Sequence, residues 1–291
     1  MPTLKGRGAT PRVWFETRGG RSRPPMVLLH GFTGTHRTWD ALADRLGKTC
    51  FLIMPDLPGH GRSATQRSSA SMSVRATADA VLRLMDAVCR GRRVALVGYS
   101  LGGRVALDLA ARHPGRLSCL VLEGASPGLR LPEEREERRR ADRALAHDIE
   151  LRGLEWFVDY WQDTPLFAHQ RLLPPEAFDA IRRDRLSNTA RGLAMSLRAA
   201  GTGEMAPLWD ELGGIATRVL VVVGSADRKY AEVGMDMWAR IPGSSLAEVD
   251  GAGHCVHLDK PAEFVDLVEE FVGGGSPPLR ASSTPRRGRS R

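Results

Sequence analysis

The sequence predicts an α/β protein built on a mostly parallel sheet flanked by helices. Three observations predict it. Short apolar runs recur along the chain, amphipathic stretches separate them, and the alternation stops once, over residues 127–212, where the pattern turns helical throughout. Buried apolar strands alternating with helices imply β-α-β units covered on both faces.

The first strong run is MVLLH (26–30), followed by CFLIMP (50–55). Residues 72–90 carry a helical spacing of apolar positions and lead into VALVG (94–98). Residues 101–112 are a second amphipathic stretch, and SCLVLEG (118–124) follows it. After the helical block come VLVVVG (219–224), a helix over 230–240, LAEVDGAG (246–253) and a last helix over 261–272. Residues 1–126 and 213–272 are therefore expected to form the core, and 127–212 an inserted helical cap over the strand ends.

At 291 residues, with 42% hydrophobic and 26% charged residues, the chain has enough material for a full-sized core. No apolar run reaches the ~18–20 residues that a membrane span needs. The N-terminal residues lack the apolar stretch of a secretory signal, so a cytoplasmic location is expected. The formal charge of +8 is mostly local. Residues 273–291 hold five arginines and no acidic residue, leaving 37 basic against 34 acidic residues, or +3, elsewhere. That Gly/Ser/Pro/Arg segment is expected to be a disordered, solvated tail without a specific nucleic-acid partner. Cys50, Cys89, Cys119 and Cys255 form no CxxC pair, so reduced, buried thiols are expected rather than zinc ligands.

Function is concentrated around Gly98-Tyr99-Ser100-Leu101-Gly102. This G-x-S-x-G stretch follows an apolar run and opens a helix, the context that lifts a reactive serine above a sheet on a cramped turn. A serine hydroxyl needs an imidazole to take its proton. His254, in GAGHCVHLDKP, lies in a Gly-rich loop after the last run and is the expected base, with His257 as its nearest rival. The orienting acid is expected to be Asp227, in VLVVVGSADRK, with Glu123 at the end of SCLVLEG as the alternative. The order Ser100, Asp227, His254 is that of the α/β-hydrolase fold. In that fold the backbone N–H groups of Phe32, in LLHGFTG, and Leu101 are expected to form the oxyanion site. Asp56-Leu57-Pro58-Gly59-His60-Gly61 reads as a structural turn.

An arginine is unexpected beside such a serine. Arg104 stands four residues past Ser100, one helical turn along the same face. The stretch LPEEREERRRADR (131–143) is rich in i,i+4 pairs, and its pattern leaves open which arginines face Ser100.

These motifs resemble the 2-succinyl-6-hydroxy-2,4-cyclohexadiene-1-carboxylate synthase family of menaquinone biosynthesis, over roughly residues 13–272. GYSLGGR with EGASPGL, the W-x-x-x-PLF stretch and GLAMSLRAAGTG carry the likeness. LLHGFTGTHRTWD, DLPGHGRS and GAGHCVHLDKP are shared widely among α/β-hydrolases. The resemblance implies a lyase that eliminates pyruvate from a small polycarboxylate, with no metal, nicotinamide or flavin. It also implies substrate-binding roles for Arg104, Arg138, Arg185, Tyr99, Tyr160, Trp161, Lys229 and Tyr230. Guanidinium suits carboxylates because it binds them bidentately. Two other readings remain open: a hydrolase of esters or carbon–carbon bonds in an acidic substrate, and a binding protein with an idle triad.

Overall fold

A computed structural model describes residues 3–4, 12–63 and 69–275. The tail expectation falls almost wholly on residues 276–291, outside the described residues.

Eight strands form one sheet, in the order β1-β2-β4-β3-β5-β6-β7-β8. They are β1 (Thr3–Leu4), β2 (Val13–Arg18), β3 (Pro25–Leu29), β4 (Phe51–Pro55), β5 (Val94–Tyr99), β6 (Leu117–Glu123), β7 (Val219–Gly224) and β8 (Ser245–Val249). From β4 to β8 every pairing is parallel; β1 and β2 pair antiparallel at one edge. Those two edge strands lie outside the expected set. The apolar run of β2, VWF, spans three residues before charged ones follow, so its sequence pattern is weak.

Helices α1 (Asp40–Leu46), α2 (Val74–Cys89) and α3 (Leu101–Arg112) connect the strands from β3 to β6. Between β6 and β7 lie α4 (Pro132–Arg152), α5 (Leu154–Gln162), α6 (Pro175–Leu186) and α7 (Ala190–Ala200), with no strand among the described residues. The chain closes with α8 (Arg228–Arg240), α9 (Val256–Asp259) and α10 (Pro261–Val272). Caps set several of these starts: the side chains of Ser73, Thr189 and Asp227 accept backbone N–H groups of α2, α7 and α8.

Successive strand residues point to opposite faces, and both faces are buried. Val27, Leu29, Leu96, Leu122 and Val221 pack against α2, α3 and α8. Met26, Leu28, Val97, Val121 and Val222 pack against α1 and α10. The helical insertion has its own cluster around Ile149, Phe157, Leu193 and Leu197. Among the described residues no helix is long and apolar enough to cross a membrane.

Candidate active site

Ser100 sits between β5 and α3 with φ 50° and ψ −105°, a left-handed φ that a side chain rarely adopts. The turn is possible because Gly98 and Gly102, two residues to either side, have no side chains. A Cβ on Gly102 would lie 2.2 Å from the Leu29 carbonyl oxygen. The strain presents the hydroxyl above the sheet, at the carboxyl ends of the strands.

His254 follows β8, and its ring is buried. Its Nδ1–H donates to Asp227 Oδ2 at 2.7 Å, since a carboxylate only accepts; Nε2 is then the end that accepts, 3.2 Å from Ser100 Oγ. Asp227 stands just past β7 and also accepts the Tyr230 N–H at 3.3 Å. Gly124 (φ +51°) makes room for the imidazole: a Cβ there would lie 2.9 Å from His254 Cε1.

Ser100 opens onto a cavity of about 230 Å³ that Phe32, Leu101, Arg104, Arg138, Trp161 and Tyr230 also line. Leu101 begins α3, so its N–H belongs to the first turn, which no intrahelical carbonyl satisfies. Among the described residues the charged side chains on the cavity wall are the guanidinium groups of Arg104 and Arg138. Arg104 is buried, donates from Nη1 to the Ala200 carbonyl at 2.6 Å, and has its pKa lowered by burial to about 10. It stays cationic at neutral pH. Arg138 Nε donates to Asp142 Oδ1 at 2.8 Å; burial raises the pKa of that aspartate. The neighbouring arginines face elsewhere. Arg139 binds Glu136 and the Gly203 carbonyl, and Arg140 is exposed beside Glu136.

The aromatic positions divide. The Tyr230 ring lies 4.4 Å from that of His254. Trp161 packs edge-on against Phe32 at 5.5 Å, and its indole N–H finds no acceptor among the described residues. Tyr160 instead stands in solvent, 47% exposed and stacked on Trp156, because adjacent helical residues point about 100° apart. Lys229 is exposed on the first turn of α8, away from the cavity.

Tyr99 and Arg185 line a different cavity of about 640 Å³; Phe32 lines both. Tyr99 OH is 2.7 Å from Cys255 Sγ, and burial pushes both pKa values up. Arg185 is buried, lies over the Phe167 ring at 4.9 Å and donates from Nη2 to Gln170 at 2.8 Å. Its Nη1 has no partner among the described residues.

Sequence reasoning passed over Asp142, the partner of Arg138, and Ser126, Ser196 and Thr202 on the cavity wall. The last three lie within EGASPGL and GLAMSLRAAGTG, so the signal was present in the motifs. Asp56 is structural: its carboxylate accepts from His36 N, His36 Nδ1 and Arg62 N. The side chains of the alternatives Glu123 and His257 bond to each other and not to the Ser100 hydroxyl. All four cysteines are free and buried.

The chain matches the alpha/beta hydrolase family profile over residues 26–267. A Bacillus subtilis (strain 168) protein provisionally named 2-succinyl-6-hydroxy-2,4-cyclohexadiene-1-carboxylate synthase is 37% identical over 87% of this chain and 92% of its own length. The Salmonella schwarzengrund (strain CVM19633) protein of that name is 31% identical, over 87% of this chain and 96% of its own. The solved structure of MenH from S. aureus superposes with a TM-score of 0.84 at 32% identity. It covers 89% of this chain and 97% of that one.

Proposed function

We propose a lyase reaction for this chain, which belongs to the 2-succinyl-6-hydroxy-2,4-cyclohexadiene-1-carboxylate synthase family of alpha/beta hydrolases. The substrate is 2-succinyl-5-enolpyruvyl-6-hydroxy-3-cyclohexene-1-carboxylate, and the products are the cyclohexadiene and pyruvate, in menaquinone biosynthesis. One observation carries the reading. Ser100, in line with His254 and Asp227, opens onto the same cavity as the guanidinium groups of Arg104 and Arg138. A neutral ester needs no such pair of cations, whereas a substrate with three carboxylates does.

In this mechanism His254 accepts the Ser100 proton while Asp227 holds the imidazole by Nδ1. The serine oxygen removes the ring proton beside the succinyl ketone. Charge develops on the ketone oxygen, where the Phe32 and Leu101 N–H groups hold it. Electrons pass through the ring double bond and break the bond to the enolpyruvyl oxygen. The departing enolate takes the proton that His254 holds, which restores the triad, and leaves as pyruvate. No acyl-enzyme forms and no further reactant is consumed. Residues 127–212 act as the cap that brings Arg138 over the serine.

The test follows diene absorbance and pyruvate release from the enolpyruvyl substrate with wild type, Ser100→Ala and Arg104→Ala. Equal diene and pyruvate, abolished without Ser100 and weakened without Arg104, is the expected result. Rapid cleavage of a generic activated ester with no diene would replace the lyase by a hydrolase.

A further inference from the structure

Glu123 and His257 form a second acid–histidine pair beside the first. Glu123 ends β6, and both side chains are fully buried. Its Oε1 accepts the His257 backbone N–H at 2.9 Å, and His257 Nδ1 lies 2.7 and 2.8 Å from its two oxygens. Nδ1 is therefore the protonated end. Nε2 is buried without a partner among the described residues. The rings of Trp39, Tyr99 and Phe264 surround the imidazole at 4.9, 4.7 and 6.0 Å, so it has little freedom to turn.

The other end of Glu123 faces the reacting serine. Its carbonyl accepts the Ser100 N–H at 2.9 Å. His257 lies on α9, three residues past His254, and its N–H is one of the first-turn donors that the helix cannot satisfy itself. A buried carboxylate there gains from charge-assisted hydrogen bonds. Glu123 thus holds Ser100 through its main chain and the histidine loop through its side chain.

The two links of the triad differ in tightness. His254 to Asp227 is 2.7 Å, while His254 to Ser100 is 3.2 Å, near the outer limit for proton transfer between hydrogen-bonded groups. The looser link is the one whose length depends on where the histidine loop sits relative to the serine turn. We infer that Glu123 is a positioning residue: through His257 it sets the reach of His254 to the serine whose amide it also binds. This rests on the triad assignment made above.

The test uses Glu123→Gln, which keeps an acceptor for the His257 N–H, His257→Gln, and the double variant. A fluorophosphonate labels Ser100 at a rate that depends on the serine turn and His254 but not on the lyase substrate. That rate is measured with kcat and KM for pyruvate release and with the thermal midpoint. The single variants are expected to label and turn over about tenfold more slowly or worse, as displacements remote from the reacting atoms do, with KM unchanged. The double variant should lose no more than the worse single variant. Wild-type labelling and kcat in any folded variant would overturn the inference alone, as would losses that track the unfolded fraction. A wild type whose Ser100 resists the probe removes the triad reading and this inference with it.

Discussion

Arg104 Nη1 donates to the carbonyl of Ala200 at 2.6 Å, so a guanidinium on the core helix α3 is fixed by the last residue of α7. The bond holds a buried cation one turn from Ser100 and couples it to the helical insertion. Arg104→Ala should lower kcat/KM by on the order of 10²-fold or more, the loss of about 2–5 kcal/mol seen when one partner of a buried charge pair is removed. Arg104→Lys should recover part of it, restoring charge without the planar fork. Steady-state kinetics on the three chains checks the order.

Gly124 carries a left-handed φ and lies against His254. Gly124→Ala should cost roughly 1–2 kcal/mol through backbone strain alone. The added methyl also displaces the imidazole, so kcat should fall on the order of 10–100-fold. Urea unfolding and turnover are measured together; unchanged turnover in a folded variant would mean the ring has slack.

Trp161 and Tyr160 should separate cleanly. Trp161 lines the cavity and packs on Phe32, so Trp161→Ala should raise KM about 3–10-fold, the scale of one lost aromatic pairing. Tyr160 faces solvent, so Tyr160→Ala should leave KM unchanged and stability within about 0.5 kcal/mol.

The buried histidines of the turn near Ser100 predict acid sensitivity. His60 donates from Nδ1 to the Pro58 carbonyl, and burial, with His30 beside it, lowers its pKa to about 3. His30 is lowered too, mainly by burial; its Nε2 accepts the Leu57 N–H, so it also sits neutral. In the unfolded chain both take up protons near pH ~6.5. Below that pH the unfolded state binds protons that the native state refuses, so stability falls as pH drops toward 3. Each such group contributes about 1.4 kcal/mol per pH unit. Denaturation between pH 7 and 4 should show this slope, and His60→Asn, which keeps a donor for Pro58, should flatten it by one group. Comparing the two chains isolates His60 from Asp142, whose raised pKa acts in the opposite direction.

The sequence by itself determined the parallel sheet and the serine turn, because both depend on local pattern. Strands buried on two faces need unbroken apolar runs, and a strand-to-helix turn this tight needs glycine at 98 and 102. It also determined where Asp227 and His254 stand, since each follows a strand at the same end of the sheet. It missed β2, whose three apolar residues become a strand only by pairing with β1 and β4.

Tertiary structure decided what side-chain direction and long-range contact control. Arg138, Arg139 and Arg140 are equivalent as letters; only the packing of α4 puts Arg138 on the cavity wall. Arg185 and Tyr99 carry the right chemistry but line the neighbouring cavity, which shares Phe32 with the first. Glu123 and His257, 134 residues apart, looked like rivals for the triad and proved to be partners. A carboxylate and an imidazole each advertise their chemistry in sequence, but which buried groups meet is fixed only when the strands and loops that carry them are stacked together.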